Sequence, residues 1–469
     1  MTLLPRAAPR GAEERAEAGR AARRAAPRSG LAEWSPAPGR EDPVTVLERQ
    51  AETRIPELVA IRYGRMLRSP LAFFRGAAAV MAADLADAPS PDLRVQLCGD
   101  AHLSNFGTFA GPDRRMVFDL NDFDETLPGP FDWDVKRLAA SVEVAARHRG
   151  FPRQARKKAV RAAARCYRET MARLAGMRTM EIWYERHEIE AVLAEHGPRS
   201  NGPGDPALEE RIAKARAKDS LRALTKLTAV VEGRRRFLRD PPLLVPLEDV
   251  LAPEDAERAA QMLRGCLRGY RSSLPAPQRA LLDRFRVADM AHKVVGVGSV
   301  GARAWVVLLL GRDEGDPLVL QVKEAQPSVL EAHLGASAYN RHGRRVVEGQ
   351  RLIQASSDIL LGWLTAEGLD GVERDYYVRQ LWDAKGSADL ERISAERFCT
   401  YAQLCGTALA RAHARSGDPI ALAGYLGRSD TFDRALHEFA RRYADRNAED
   451  FAALEAAADD GRIPATDVV

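Results

Sequence analysis

A strand-patterned segment lies late in a chain that is otherwise patterned for helices, and this contrast constrains the fold more than any other feature. From Ala291 the strand-forming runs are KVVGVGSVGARAWVVLLL, LVLQVKEA, ILLGWLT and DYYVRQLWD. Helical periodicity covers residues 329–354, 394–416 and 431–458, and most of the stretch from Trp133 to about residue 285. The pattern predicts an α+β protein with a β-rich unit set into a mainly helical chain.

A cluster of acidic and amide side chains precedes that unit. LRVQL predicts a short strand, CGDAHLSNFG a loop, and the residues around GPD a hairpin. Asp100 and Asn105 lie on the loop, and Asp119, Asp122 and Asp124 follow at the end of the hairpin. Such oxygens can hold Mg²⁺ against phosphates and orient a hydroxyl for attack. The alternative is a run of helix caps and turns, where Asp and Asn are common.

A glycine-rich motif, G-x-G-x-x-G, lies inside the β-rich unit at Gly296, Gly298 and Gly301, with Ser299 within it. A dinucleotide-binding motif would need a helix directly afterwards and an acidic residue about 20 positions on. Instead ARAWVVLLL follows, and position 321 is Gln. The motif therefore favours a glycine-rich hairpin over nucleotide phosphates, with an ordinary tight hairpin as the alternative.

Lys323 is one of only nine lysines and stands among apolar residues of a predicted strand. A lysine in that position needs a charged partner. A nucleotide phosphate and a helix carboxylate would both serve, and Glu348 is the predicted carboxylate, with Glu331 as the competitor. The alternative is an edge-strand lysine that faces water.

Charge and cysteine content exclude several classes of protein. The net charge is +4, and residues 1–40, with eight Arg and four Glu, account for all of it. We therefore expect no nucleic-acid partner, and residues 1–45 are predicted to be a disordered basic tail. No apolar run approaches the roughly 18 residues of a membrane span. The five cysteines lack C-x-x-C spacing, which is typical of a reducing cytoplasm.

CGDAHLSNFG resembles the H-G-D-x-H-x-x-N catalytic loop of aminoglycoside phosphotransferases and other small-molecule kinases, with Cys98 in place of the first His. The resemblance implies that Asp100 is the catalytic base and Asn105 a metal ligand. NDFDE resembles the D-F-G region of kinases, which implies that Asp122 binds metal, with Asp119 as the alternate. Asp134 resembles the buried helix Asp of those enzymes.

The order of these parts differs from that of ordinary kinases, because the glycine loop and the lysine follow the catalytic loop. The resemblance therefore implies a circularly permuted, two-lobed kinase-like fold. Residues 46–287 would form the large lobe with the catalytic and metal-binding loops, and residues 288–387 the small nucleotide-binding lobe. Residues 388–469 would complete the large lobe, with the helix that ends in LARAHARSGDP packed near the catalytic loop.

The chain from about residue 45 also resembles a bacterial family known as domain of unknown function twenty-two fifty-two. That resemblance rests on RMLRSPLAFFRGAA, CGDAHLSNFG, FDLNDFDETLPGPFDWDVKRLAAS, VGVGSVGARAW, QVKEA and VVEGQRLIQ. The expected function, taken from the kinase-like motifs, is ATP- and Mg²⁺-dependent transfer of a phosphoryl group to a hydroxyl acceptor, more often a small molecule than a protein. Two alternatives stay open: AMP transfer on the same fold, and a nucleotide-binding regulator of the pseudokinase type. The acceptor and the oligomeric state stay open as well.

Overall fold

The computed structural model describes residues 11–188, 227–250, 256–294, 296, 300–368, 370–381, 386 and 388–466. These form a mixed α and β protein. The helices are α1 Ala12–Ala25, α2 Pro43–Ala51, α3 Pro56–Met66, α4 Pro70–Gly76, α5 Ala78–Ala86, α6 Phe131–His148, α7 Arg153–Ala175, α8 Thr179–Tyr184, α9 Leu247–Val250, α10 Ala256–Ser273, α11 Ala276–Leu282, α12 Glu331–Leu334, α13 His342–Ile353, α14 Ala395–Ser416, α15 Pro419–Leu426 and α16 Thr431–Asp459. The strands are β1 Arg94–Leu97, β2 Phe106–Ala110, β3 Met116–Leu120, β4 Leu127–Pro130, β5 Thr228–Val231, β6 Arg234–Phe237, β7 Leu244–Pro246, β8 Arg286–Lys293, β9 Ala304–Leu310, β10 Pro317–Glu324, β11 Gly362–Glu367 and β12 Glu373–Gln380.

The helical part is built around α6, which is buried along nearly its whole length. Helices α7, α14 and α16 pack on it, and their aromatic rings stack between them, as Phe131 does on Tyr167 at 6.1 Å. Two short antiparallel pairs, β1 with β4 and β2 with β3, lie at the edge of this core. They carry the acidic loops of the sequence, so a rigid helical layer supports those loops.

A six-stranded antiparallel sheet forms the second part, in the order β11, β12, β10, β9, β8, β7. Alternation along β10 sends Leu320 and Val322 into an apolar cluster with α10, and Gln321 and Lys323 toward the opposite face. Lys323 pairs in register with Ala304 on one side and Tyr377 on the other. It is therefore on an interior strand, and its side chain is only 4% exposed, so the edge-strand alternative is wrong.

The prediction of a disordered tail over residues 1–45 is wrong for residues 11–45, and residues 1–10 lie outside the described chain. Helix α1 packs on α15, and Arg15 binds both carboxylate oxygens of Asp418, at 2.7 and 2.8 Å. The contact uses close approach of small residues: a Cβ on Gly19 would lie 1.9 Å from the Ala421 carbonyl oxygen. Composition suggested disorder because this helix packs through Gly and Ala instead of large apolar side chains.

The predicted boundary between the large and small lobes, at residue 287, also lies too far along the chain, because the sheet part begins earlier. Strands β5, β6 and β7 lie in the stretch predicted to be mainly helical, and β7 is an edge strand of the large sheet. Tyr270 and Leu282 join the apolar cluster behind β9 and β10. Residues 227–282 that the structure describes therefore pack with the sheet. None of the described helices combines the length and apolar character that a membrane span requires.

Replacing Gly19 by Ala should destabilise the protein, because the new methyl group would collide with the α15 backbone. Overpacking of this kind costs about 1–3 kcal/mol. Gly30→Ala is the matched control, since a Cβ there meets nothing within 4 Å. Urea unfolding measures both variants, and equal stability of the two would show that α1 does not pack on α15 in solution.

Candidate active site

A cavity of about 500 Å³ lies between the sheet and the helical part, and both contribute to its walls. Asp100, Asn105 and Asp122 line it from the helical side, and Gly296 and Lys323 line it from the sheet. The structure thus brings five of the ten predicted site residues together, although they come from two distant parts of the sequence. Asp119, Gly301 and Glu348 do not line this cavity.

Lys323 reaches across the cavity to the acidic loop. Its amine forms an ion pair with the carboxylate of Asp124, 199 residues earlier in the chain, and lies 3.9 Å from Asp122 Oδ1. Tyr377, its register partner on β12, donates its hydroxyl hydrogen to Asp124 Oδ1 at 2.8 Å. Burial alone would lower the pKa of Lys323, but the two carboxylates outweigh burial and raise it, so the amine stays protonated.

Two arginines of the sheet part hold the backbone of the same acidic loop. Arg345 on α13 is fully buried and donates to the carbonyl oxygens of Asp124 and Thr126, at 2.7 and 2.8 Å. Arg379 on β12 donates to the carbonyl oxygen of Asn121 at 2.9 Å. The loop is therefore fixed at its backbone as well as at its side chains, which is the condition for a preorganised site.

The loop that carries Asp100 is held from behind by α6. Asp134 accepts hydrogen bonds from the backbone N–H groups of Cys98 and Gly99, at 2.8 and 3.1 Å. Gly99 has a φ of +87°, and a Cβ there would lie 2.2 Å from the Glu125 carbonyl oxygen, so this position requires glycine. His413 of α14 contacts Asp134 at 3.2 Å, which agrees with the expected position of this helix near the loop.

Asp100 and Asn105 are oriented by separate contacts. Arg137, one turn after Asp134 on α6, donates from Nε to Asp100 Oδ1 at 2.8 Å. Asn105 donates from Nδ2 to the Asp100 carbonyl oxygen at 2.8 Å, which leaves its amide oxygen as the atom suited to a cation. His102 packs beside Asp100, and burial lowers the pKa of this histidine to about 4, so it is neutral near pH 7.

Asp119 is not placed to bind metal, which corrects the alternate assignment. It is buried on β3 and ion-pairs with the fully buried Arg411 at 2.5 Å, outside the cavity. Burial raises the pKa of Asp119 in spite of that guanidinium. Asp119 is on β3, whereas Asp122 lies beyond the end of that strand, so strand alternation in the sequence could not show which of the two faces the cavity.

The predicted pairing of Lys323 with Glu348 is wrong, and so is the competing one with Glu331. Glu348 lies 3.6 Å from Arg351 on its own helix, and Glu331 lies 3.6 Å from Arg345. The face of α13 that meets the acidic loop carries Gly349, where a Cβ would lie 2.5 Å from Thr126. A rotation of about 100° between successive helix residues turns Glu348 away from that loop.

The glycine-rich segment is described only in part. Gly298 and Ser299 lie outside the described residues. Gly296 lines the cavity, whereas Gly301 is held at the start of α3, where its carbonyl oxygen accepts a hydrogen bond from Ile55 N at 2.8 Å. Gly301 has a φ of +87°, a backbone conformation that favours glycine, so the conformation alone accounts for a glycine at this position.

Sequence reasoning gave no role to several residues that build this site. The sequence pattern places Asp124 only within an acidic cluster, yet it is the carboxylate that pairs with Lys323. The sequence pattern assigns no role to Arg137, Arg345 and Arg379. Arg137 had a usable signal, because it follows Asp134 by three residues on one helix and so shares its face. Arg345 and Arg379 had none, since charged residues on helices and strands are usually solvent-exposed.

The model of the family described as "Uncharacterized protein conserved in bacteria (DUF2252)" matches residues 54–457, so this chain belongs to that family. No curated protein and no solved structure shows a significant match to the chain.

Replacing Asp119 by Asn should lower stability by about 3 kcal/mol, because the buried charge of Arg411 would lose its partner. Asp113→Asn, at the exposed turn of the same hairpin, is the control and should change stability by less than about 0.5 kcal/mol. Chemical denaturation compares them. If Asp119→Asn is as stable as wild type but is no longer stabilised by added Mg²⁺, Asp119 would be a metal ligand after all.

Glu125 should make the protein less stable as pH rises. Burial raises the pKa of this carboxyl from 4.5 to about 7, even though Val329 N donates to it at 2.7 Å. The stability it contributes is fully present below pH 4.5 and is lost as pH rises through 7, by at most about 3 kcal/mol. Glu125→Gln should remove this loss, seen as a smaller difference between unfolding free energies at pH 5 and pH 8. A pH profile identical to that of wild type would contradict the assignment, and Glu57→Gln at the surface is the control.

Proposed function

We propose that this protein is an ATP-dependent phosphotransferase that moves the γ-phosphoryl group to a hydroxyl of a small-molecule acceptor. One observation carries the proposal: a lysine from the sheet and two carboxylates from the helical part meet in one cavity, with Lys323 Nζ 3.9 Å from Asp122 Oδ1. Phosphoryl transfer needs this combination of a fixed cation and metal-binding oxygens around a phosphate chain.

The arrangement of the sheet supports a circularly permuted kinase-like fold. In protein kinases a glycine-rich loop covers the phosphates, and the essential lysine is on the third strand, before a helix. Here the glycine-rich segment follows β8, Lys323 is on β10, and the short helix α12 and then α13 follow in the chain. The two parts meet at the acidic loop, as the permuted order requires.

The donor set fits a magnesium ion with few protein ligands. Among the described residues there is no cluster of three or more His, Cys, Asp or Glu that could hold a metal. Mg²⁺ is commonly bound by one or two protein oxygens together with substrate phosphates, and the Asn105 amide oxygen and the Asp122 carboxylate are hard oxygens of that kind. When bound, Mg²⁺ would neutralise charge on the phosphate oxygens.

The side chains of the cavity have distinct expected tasks. Asp100 would accept the proton of the acceptor hydroxyl, and Arg137 would keep its carboxylate in place. Lys323 would pair with the α- and β-phosphates, in exchange for part of its contact with Asp124. The cavity volume of about 500 Å³ is in the range of small-molecule sites, which favours a small acceptor over a protein segment.

Replacing Asp100 by Asn should lower ATP-dependent transfer by about 10²- to 10⁴-fold, the usual contribution of a general base. Asp122→Asn and Lys323→Met should also abolish turnover. Glu348→Gln is the matched control and should keep activity, because its carboxylate lies outside the cavity. The assay is a metabolite-library screen with isotope-labelled ATP, read by mass spectrometry.

The mass of the product separates the possible reactions. A phosphate adduct supports the proposal, and an AMP adduct would replace it with nucleotidyl transfer. If calorimetry shows Mg-ATP binding and no turnover is found, the result would support a nucleotide-binding regulator instead of an enzyme. Unchanged nucleotide binding and turnover in Lys323→Met would contradict the assignment of the sheet as the nucleotide-binding part.

A further inference from the structure

One cation of the cavity forms no hydrogen bond or ion pair with the part of the chain that the structure describes. Arg75, in the last turn of α4, lines the cavity, and its Nε is buried without a hydrogen bond. Among the residues that the structure describes, this guanidinium forms no ion pair either. Other cations that line the cavity have protein partners: Lys323 binds Asp124, Arg379 binds the Asn121 carbonyl oxygen, and Arg54 binds the Val300 carbonyl oxygen.

The backbone on both sides of Arg75 is fixed by other arginines. Arg137 donates to the Phe74 carbonyl oxygen at 2.7 Å, and its guanidinium lies 3.9 Å from the Phe74 ring centroid. The fully buried Arg62 donates to the Gly76 carbonyl oxygen at 3.2 Å. Because Arg137 also binds Asp100, one guanidinium sets the position of Arg75 relative to the proposed base.

Arg75 is close enough to Asp100 to interact with it electrostatically. Burial lowers the pKa of Arg75, and the charge of Asp100 opposes that effect. Asp100 nevertheless has Arg137 as its direct partner, so Arg75 is not needed to neutralise it. Burial of a guanidinium without a hydrogen-bond partner costs free energy, because the group loses its contacts with water. Hydrogen bonds to an anionic ligand would offset that cost.

We propose that Arg75 binds an anionic group, a carboxylate or a phosphate, of the acceptor whose hydroxyl meets Asp100. This inference rests on the proposed function and narrows its substrate class to hydroxyl compounds that carry negative charge. The planar guanidinium suits either anion, since it can donate two parallel hydrogen bonds to one group. The position of Arg75 disfavours a polycationic acceptor such as an aminoglycoside, because an amine at this point would meet the guanidinium.

Calorimetric titration of inorganic phosphate tests the site directly. The full-chain protein is first saturated with Mg²⁺ and β,γ-imido-ATP, so that the nucleotide's own phosphate positions are filled. Wild type should bind phosphate, and Arg75→Gln should bind it about 10- to 100-fold more weakly. Arg68→Gln, an exposed arginine seven residues earlier, is the control and should bind like wild type. No phosphate binding by wild type, or equal binding by Arg75→Gln, would overturn the proposal.

Two further measurements separate the alternatives. The affinity of Arg75→Gln for Mg-imido-ATP should equal that of wild type. If nucleotide affinity falls as much as phosphate affinity does, Arg75 binds the nucleotide instead of the acceptor. The variant should be at least as stable as wild type in thermal unfolding, because an unpartnered charge is removed, whereas a structural arginine would leave a less stable protein. If wild type binds no Mg-imido-ATP, the proposed function fails, and phosphate titration of the nucleotide-free proteins still tests Arg75.

Discussion

The buried guanidinium of Arg345 is the contact on which the two-part architecture depends. It donates to three backbone carbonyl oxygens, those of Asp124, Thr126 and Gln326, so one side chain joins α13, the acidic loop and the segment after β10. Carbonyl groups buried between two layers need donors. Arg345 supplies them at the point where the sheet meets the helical part, and the Lys323 contact with Asp124 is formed beside it.

A second buried network supports the opposite wall of the cavity. Tyr167 and His413 contact each other at 2.8 Å, His413 contacts Asp134, and Asp134 holds the backbone of the loop before Asp100. Polar networks of this kind stabilise one arrangement when every member is satisfied. The wall of the cavity that carries Asp100 therefore depends on α7, α6 and α14 together.

The sequence predicted the parts of the fold that follow from local pattern. The strands around Lys323, the hairpin before Asp122 and the helices near the C-terminus have the expected type, because their apolar periodicity is regular. The Arg-rich strand Arg234–Phe237 and the Gly/Ala-rich α1 were missed, since neither shows an apolar face. The partner of Lys323 was also missed, because pairing between distant elements is decided by tertiary packing and not by local pattern.

The position of His413 in the chain has a consequence for biosynthesis. Asp134 is translated 279 residues before the histidine that contacts it, and the sheet with Lys323 is also translated before that histidine. Both walls of the cavity can therefore emerge from the ribosome while Asp134, which holds the loop before Asp100, still lacks its contact with His413. The nascent chain completes this network only when α14 has left the exit tunnel, so premature termination before α14 yields a protein in which Asp134 lacks its contact with His413.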